Sequence, residues 1–170
     1  METRIRDATA ADGSAILDVH LASIEGLAGD HYSDEQVAAW AHERDPAYYP
    51  IESPETEAVV AERGDRLVGF GWMKPNADGY LQAAVDSEIT AVYVHPSVAR
   101  DGVGTRIYDE LEGRARRAGV DSLGLWASLN AVAFYESHGY SRVTDHTIEF
   151  HDGVYGTVLE LRKSLLGLTR

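Results

Sequence analysis

A strand, a glycine turn and a long amphipathic helix follow one another without a break between Glu88 and Ala118. No other stretch constrains the fold as much, because it commits the chain to a sheet with a helix packed on it. Ile89, Thr90, Val92 and Val94 are β-branched and favour an extended strand, Pro96 stops it, and Gly102 and Gly104 let the main chain approach a ligand. After the turn, Val103, Ile107, Leu111, Ala115 and Ala118 recur at helical period as one buried stripe, with Glu110, Arg114 and Arg117 off it. The first turn of such a helix offers free N–H groups at the positive end of its dipole, which makes it an anion site suited to phosphate.

Two familiar phosphate loops fail against these letters. A dinucleotide fingerprint wants a third glycine where Ile107 stands, and the Gly-Lys-Ser/Thr of a nucleoside triphosphate loop is missing. What remains is Val94-His-Pro, a short irregular stretch, then Gly102-Val-Gly104 opening the helix. A second segment, Trp126-Ala-Ser-Leu-Asn-Ala-Val-Ala-Phe-Tyr-Glu-Ser-His-Gly-Tyr140, offers Ser128 or Asn130 as a helix cap and Gly139 as a left-handed stop. Ala131, Phe134 and His138 fall on one side of that short helix.

The two motifs, in this order and separated by a helix and a strand, resemble those of the GCN5-related N-acetyltransferase (GNAT) family over roughly Thr3 to Arg162. The resemblance implies an α/β fold of three layers: a central mixed, mostly antiparallel sheet with one splayed parallel strand pair, and helices on both faces. It implies acetyl-coenzyme A as acetyl donor, lying where the strands Glu88–Val94 and Asp121–Trp126 part. Val92, Tyr93 and Val94 would then meet the pantetheine arm, and Ala99, Arg100, Asp101, Gly102, Val103, Gly104 and Thr105 the pyrophosphate. The second motif would add Ser128, Asn130, Ala133 and Tyr135. The loop departs from the family pattern at Ala99, where Arg or Gln is common, and at Asp101, a position often basic. At ~7 Å in water one such repulsion costs only about 0.6 kcal/mol, so binding is expected to rest on backbone amides more than on side-chain charge.

By the same resemblance Tyr135 is the candidate general acid. A phenol of pKa near 10 stays protonated at neutral pH and can serve a leaving thiolate of pKa near 8.5. Glu88 is the candidate base, acting through water, because a carboxylate of pKa about 4.3 is a poor direct base for ammonium. The acceptor is expected to be the primary amine of a small molecule or a peptide N-terminus, with Tyr32, Trp40, Trp72 and Trp126, together with His31 and Asp152, as candidates for its pocket. A competing reading is a coenzyme A-binding sensor or scaffold that keeps the fold without useful catalysis.

Composition narrows the rest. The chain has 170 residues and is expected to be a single domain over 1–170. It has no cysteine, which removes disulfides, thiolate metal sites and an acyl-cysteine route, so acetyl must move directly. The histidines show no metal spacing, and no metal is expected. The net charge of −13 arises from 28 acidic against 15 basic residues, spread along the whole chain. That pattern suits solubility in concentrated salt and suggests a halophile. It lacks the basic stripe a nucleic acid would need. No apolar run reaches the roughly 20 residues of a membrane span, and the first residues lack a signal peptide's apolar core, so a cytoplasmic protein without membrane attachment is expected. A homodimer is compatible with the sequence, which does not fix the oligomeric state.

Elsewhere the patterns predict strands over Thr3–Ala8, Glu57–Glu62, Arg66–Met73, Tyr140–Phe150 and Tyr155–Arg162. Helices are predicted over Asp12–Leu27 and from the capping box Ser33-Asp-Glu-Gln36 through Arg44, with a loop over Asp45–Glu57.

Overall fold

The computed structural model describes residues 2–166. In it, strands β1 (Thr3–Asp7), β2 (Glu57–Arg63), β3 (Arg66–Lys74), β4 (Ser87–Val94), β5 (Ser122–Ser128), β6 (Ser141–His151) and β7 (Val154–Ser164) form one sheet in the order β1-β2-β3-β4-β5-β7-β6. Every neighbouring pair is antiparallel except β4 and β5, which run parallel. Gly64-Asp65 and Asp152-Gly153 turn the hairpins β2–β3 and β6–β7, and Gly64, Asp152 and Gly153 have positive φ, as tight turns between twisted strands demand.

Residues 58–61 of β2, Ala-Val-Val-Ala, are buried on both faces, which is why they form an apolar run rather than alternate. Val59 and Ala61 face α3 (Val103–Arg117) and α4 (Val132–Ser137), packed with Ile107, Leu111, Leu123 and Leu125. Val60, with Phe70, Trp72 and Ala91, faces the other way, against Ile16 and Val19 of α1 (Gly13–Leu27). The short α2 (Asp34–Trp40) lies beyond α1, where Trp40 packs near Ile24 and Tyr32. The helices thus cover both faces of the mixed sheet, the three-layer α/β arrangement expected. Close docking of α3 depends on Gly71, where a Cβ would sit 2.6 Å from Ile107 Cγ2 and 3.0 Å from the Ala91 carbonyl.

Three local expectations are corrected. Helix α2 starts at its capping box, with the Gln36 amide donating to Ser33 Oγ at 3.1 Å, but ends at Trp40 rather than Arg44. Pro46 disfavours helical geometry at Asp45, and the Arg44 guanidinium folds back to donate to the carbonyls of Trp40 and His42, closing the helix end. Ala118 does not extend the buried stripe of α3. It is exposed and caps the helix just before Gly119, at φ +80°, turns the chain away. The stripe gains Tyr108 instead, fully buried against Tyr140, with the two hydroxyls hydrogen-bonded at 3.0 Å. Finally, neither Ser128 nor Asn130 caps α4 by its side chain, because a turn of 3₁₀ helix over Leu129–Ala131 intervenes.

Candidate functional site

Strands β4 and β5 pair only at Ser87 with Leu123 and at Glu88 with Gly124. Beyond that point they part. A bulge at Thr90 bends β4 there: Trp72 pairs with Ala91 and Met73 with Ile89, leaving Thr90 without an opposite number on β3. β5 meanwhile stays paired to β7 along its whole length. The wedge between them is a cavity of about 180 Å³ walled by β4 from Ile89 to Val94, by Ala127 and Ser128 of β5, and by Asn130, Phe134 and Tyr135. Gly104 closes one end, and Trp40 and Trp126 stand at the other.

The glycine turn lies at that first end. Gly102 is the cap of α3, with φ +83°, a conformation costing other residues roughly 1–2 kcal/mol. Arg100 is also left-handed, at φ +66°. Among the described residues, the amides of Arg100, Gly102, Val103, Gly104 and Thr105 make no backbone hydrogen bond, whereas Asp101 donates its N–H to Val98 at 3.2 Å. Five of the six amides from Arg100 to Thr105 therefore remain available to an anion, and Asp101 is spent on the turn itself. Its carboxylate is turned aside to Arg63, 3.2 Å from Nη1. Ala99 is half-buried behind this loop and bonds its amide to Pro96.

Tyr135 is buried at 6% exposure yet lines the wedge, and its hydroxyl has no hydrogen-bond partner among the described residues. Burial pushes its pKa well above the ordinary tyrosine value, so it holds its proton at any working pH. Asn130 Oδ1 and Trp126 Nε1 are buried at the wedge without a hydrogen-bond partner. An amide-rich chain such as pantetheine is chemically matched to such a wall: a free strand edge, an unpaired amide oxygen and a tyrosine hydroxyl. Ala133, by contrast, is exposed on the outer side of α4 and does not line the cavity.

Glu88 sits at the closed end of the wedge, 2% exposed, and lines neither this cavity nor its neighbour. Burial raises its pKa above the usual carboxylate range, against a hydrogen bond donated by the Tyr80 hydroxyl and a nearby charge on Lys74. The Tyr80 ring lies 4.8 Å from that of Trp126, which contacts His146 on from there at 4.7 Å. His146 Nε2 is 2.8 Å from the buried Glu160, whose carboxylate also accepts the amides of Gln82 and Ala83.

A second cavity, about 220 Å³, shares Trp40, Tyr93, Trp126 and Ser128 with the first and is completed by Ile148, Phe150 and Val158, with Glu149 at its wall. Of the aromatic residues expected to form an acceptor pocket, Trp40 and Trp126 line it. Tyr32 stands behind them as a strut, donating to the Thr157 carbonyl at 2.6 Å and accepting the Leu129 amide at 2.9 Å. Trp72 is apart from both cavities, packed in the core against Tyr49 and Phe70. His31 and Asp152 are exposed and line neither cavity. Of the residues that sequence reasoning missed, Arg63, His146, Phe150 and Glu160 join the site through contacts distant in sequence, and Tyr80 through Glu88, eight residues on, and the ring of Trp126. Only Phe150 carried any signal, as an aromatic residue at a hairpin end. Among the described residues no three His, Asp or Glu side chains converge as metal ligands, and no helix is long and apolar enough to cross a membrane.

The profile of the acetyltransferase (GNAT) domain matches residues 28–160. A mycothiol acetyltransferase of Sanguibacter keddieii is 34% identical over 89 residues, 51% of this chain but only 28% of that protein. An uncharacterized N-acetyltransferase of Escherichia coli is 23% identical over 146 residues, 86% of each chain. Among solved structures, a GCN5-related N-acetyltransferase of Rhodopseudomonas palustris superposes with a TM-score of 0.82 at 29% identity over 97% of both chains. A PaiA N-acetyltransferase of Thermoplasma acidophilum, solved with coenzyme A, shares the fold at a TM-score of 0.74 and 18% identity, over 96% of this chain and 99% of its own. With its profile match across most of the chain and a parallel strand pair splayed over a glycine-turn helix, the chain belongs to the acetyltransferase (GNAT) domain family.

Proposed function

We propose that the protein transfers acetyl from acetyl-coenzyme A directly to a primary amine of a small molecule or a peptide N-terminus. The observation that carries this reading is the pair of cavities joined at four shared residues: one runs from the free amides of the glycine turn to Trp126, the other continues from Trp126 toward the β6–β7 hairpin. The first suits a long donor and the second a compact acceptor, so their junction brings thioester and amine together. The amides of Gly102 to Thr105 hold the pyrophosphate, and the free edges of Val92 and Val94 the pantetheine amides.

The amine nitrogen forms a bond to the thioester carbonyl carbon as the carbon–sulfur bond breaks. Tyr135 gives its phenolic proton to the departing sulfur and regains one from solvent after product leaves. The amine's proton passes through water to Glu88, whose raised pKa makes it a better base than an exposed carboxylate. Because Glu88 lines neither cavity, the water route is the one compatible with its burial. The charge of −13 favours a setting of concentrated salt.

An amine screen following free thiol release from acetyl-coenzyme A, run at low and molar salt, tests the proposal. Turnover of at least one amine is expected. Tight coenzyme A binding with no turnover across the screen would overturn it in favour of a sensor.

A further inference from the structure

Resting on that transferase reading, we infer that the acceptor is a primary amine carried on a flat apolar body without a carboxylate: an arylalkylamine, its ring lodged in the second cavity between Trp40, Tyr93, Trp126 and Phe150. Four of the residues around this space are aromatic and two more, Ile148 and Val158, are aliphatic. Trp40 stands 5.6 Å from Phe150, tilted at 33°, and 6.5 Å from Tyr93, edge to face at 66°, centroid to centroid, so the three rings form one continuous wall. These walls are firmly held. Tyr32 contacts both Trp40 and Phe150, at 5.6 and 5.3 Å, while its hydroxyl is bonded on both sides to main chain.

Size and charge narrow the class further. An apolar cavity of roughly 150 Å³ accommodates benzene, so about 220 Å³ leaves space for a ring and a short alkyl arm. The walls shared with the donor cavity set the direction: the ring fills the end near Phe150 and Ile148, and the arm points past Trp126 and Ser128 to the wedge. Among the described residues, neither cavity is lined by arginine or lysine, and Glu149 borders the second. A carboxylate on the acceptor would be desolvated against rings with no cation lining the cavity to pair it, a cost that disfavours amino acids. A polyamine has no ring to fill the space beside Ile148 and Phe150, so it forgoes the apolar burial that an aryl amine gains there.

The test compares 2-phenylethylamine, phenylalanine and spermidine as acceptors for the intact chain, measuring kcat/KM by thiol release and binding by calorimetry with coenzyme A present. Burying one phenyl ring corresponds to about 30-fold or more in affinity. 2-Phenylethylamine is therefore expected to exceed spermidine, which has no ring, by at least about 30-fold in binding and in kcat/KM, and also to exceed phenylalanine, which has the same ring but must bury a carboxylate; Phe150→Ala should cut the advantage over spermidine about tenfold. If the binding preference holds while no amine is acetylated, the pocket assignment stands and the transferase reading falls. Equal binding of the three, or preference for phenylalanine or spermidine, overturns the inference and leaves the transferase reading intact.

Discussion

Arg63, at the end of β2, holds the carboxylate of Asp101 3.2 Å from its Nη1 and so draws the one acidic side chain of the glycine turn away from the free amides. The unfavourable residue in the turn is neutralised from the next layer of structure. Both side chains are partly exposed, and a pair of this kind adds only about 0–1 kcal/mol to stability. On the proposed role of the turn, its effect belongs to ligand binding. Arg63→Ala frees the Asp101 charge and should raise the KM for acetyl-coenzyme A about two- to fivefold at low ionic strength. At molar salt, where the Debye length is about 3 Å, the difference should vanish. Asp101→Asn in the same background should restore the wild-type value, and failure to do so would show that Arg63 acts by another route.

Tyr135 keeps its proton because the wedge buries it. Tyr135→Phe removes the proton while keeping the ring that packs against Tyr108 and Phe134. On the proposed role kcat should fall about 100-fold or more, with the KM for acetyl-coenzyme A little changed. An undiminished kcat, with sulfur release shown to limit the rate, would remove Tyr135 from the mechanism.

The local halves of this site were legible in the sequence because each is one motif on one element. Gly102, at φ +83°, is required by the turn it makes, and Tyr135 lies in a helix whose apolar side is encoded within six residues. What joins those halves was not legible. Arg63 meets Asp101 across 38 residues of sequence, and Gln82 meets Glu160 across 78. No periodicity encodes such contacts; they follow from sheet order. Trp72 illustrates the converse. Its letter is the same as that of Trp40, and only the register of β3 against β4, with Trp72 opposite Ala91, sends it into the core.

Tyr80 ties Glu88, the proposed base, to the loop between β3 and β4 through its hydrogen bond. That bond opposes the effect of burial and holds the Glu88 pKa lower than burial alone would set it. If the Glu88 carboxylate accepts the amine's proton, kcat/KM falls at acid pH as Glu88 becomes protonated. Tyr80→Phe should move this acid limb to higher pH, because the carboxylate loses a donor. Glu88→Gln should abolish the limb and lower kcat about 100-fold. An acid limb that Glu88→Gln leaves in place belongs to another group.

Gly71 sets the distance between α3 and the sheet. A methyl there meets Ile107 Cγ2 at 2.6 Å and the Ala91 carbonyl at 3.0 Å, and the second of these is main chain that cannot swing aside. Gly71→Ala should therefore destabilise the fold by about 1–3 kcal/mol. The shift would appear as a lower urea midpoint with an unchanged slope. Because Ala91 is part of the strand that forms the wedge, coenzyme A binding should weaken as well.

Glu160 anchors the loop before β4, accepting the amides of Gln82 at 2.9 Å and Ala83 at 2.8 Å beside His146 at 2.8 Å. Burial by itself would raise its pKa, but the two amides and the imidazole outweigh that and hold it below the usual carboxylate value. A folded pKa below the unfolded one means that the contribution is fully present above the unfolded pKa, near 4.3, and is lost as pH falls through the folded value. Glu160→Gln places an NH₂ group among donors that need an acceptor. It should cost about 2 kcal/mol at pH 7. The gap in unfolding free energy between wild type and variant, followed by urea titration from pH 7 to pH 3, should narrow below about pH 4. A gap that stays constant over this range would mean that the shape of the side chain, and not its charge, holds the loop.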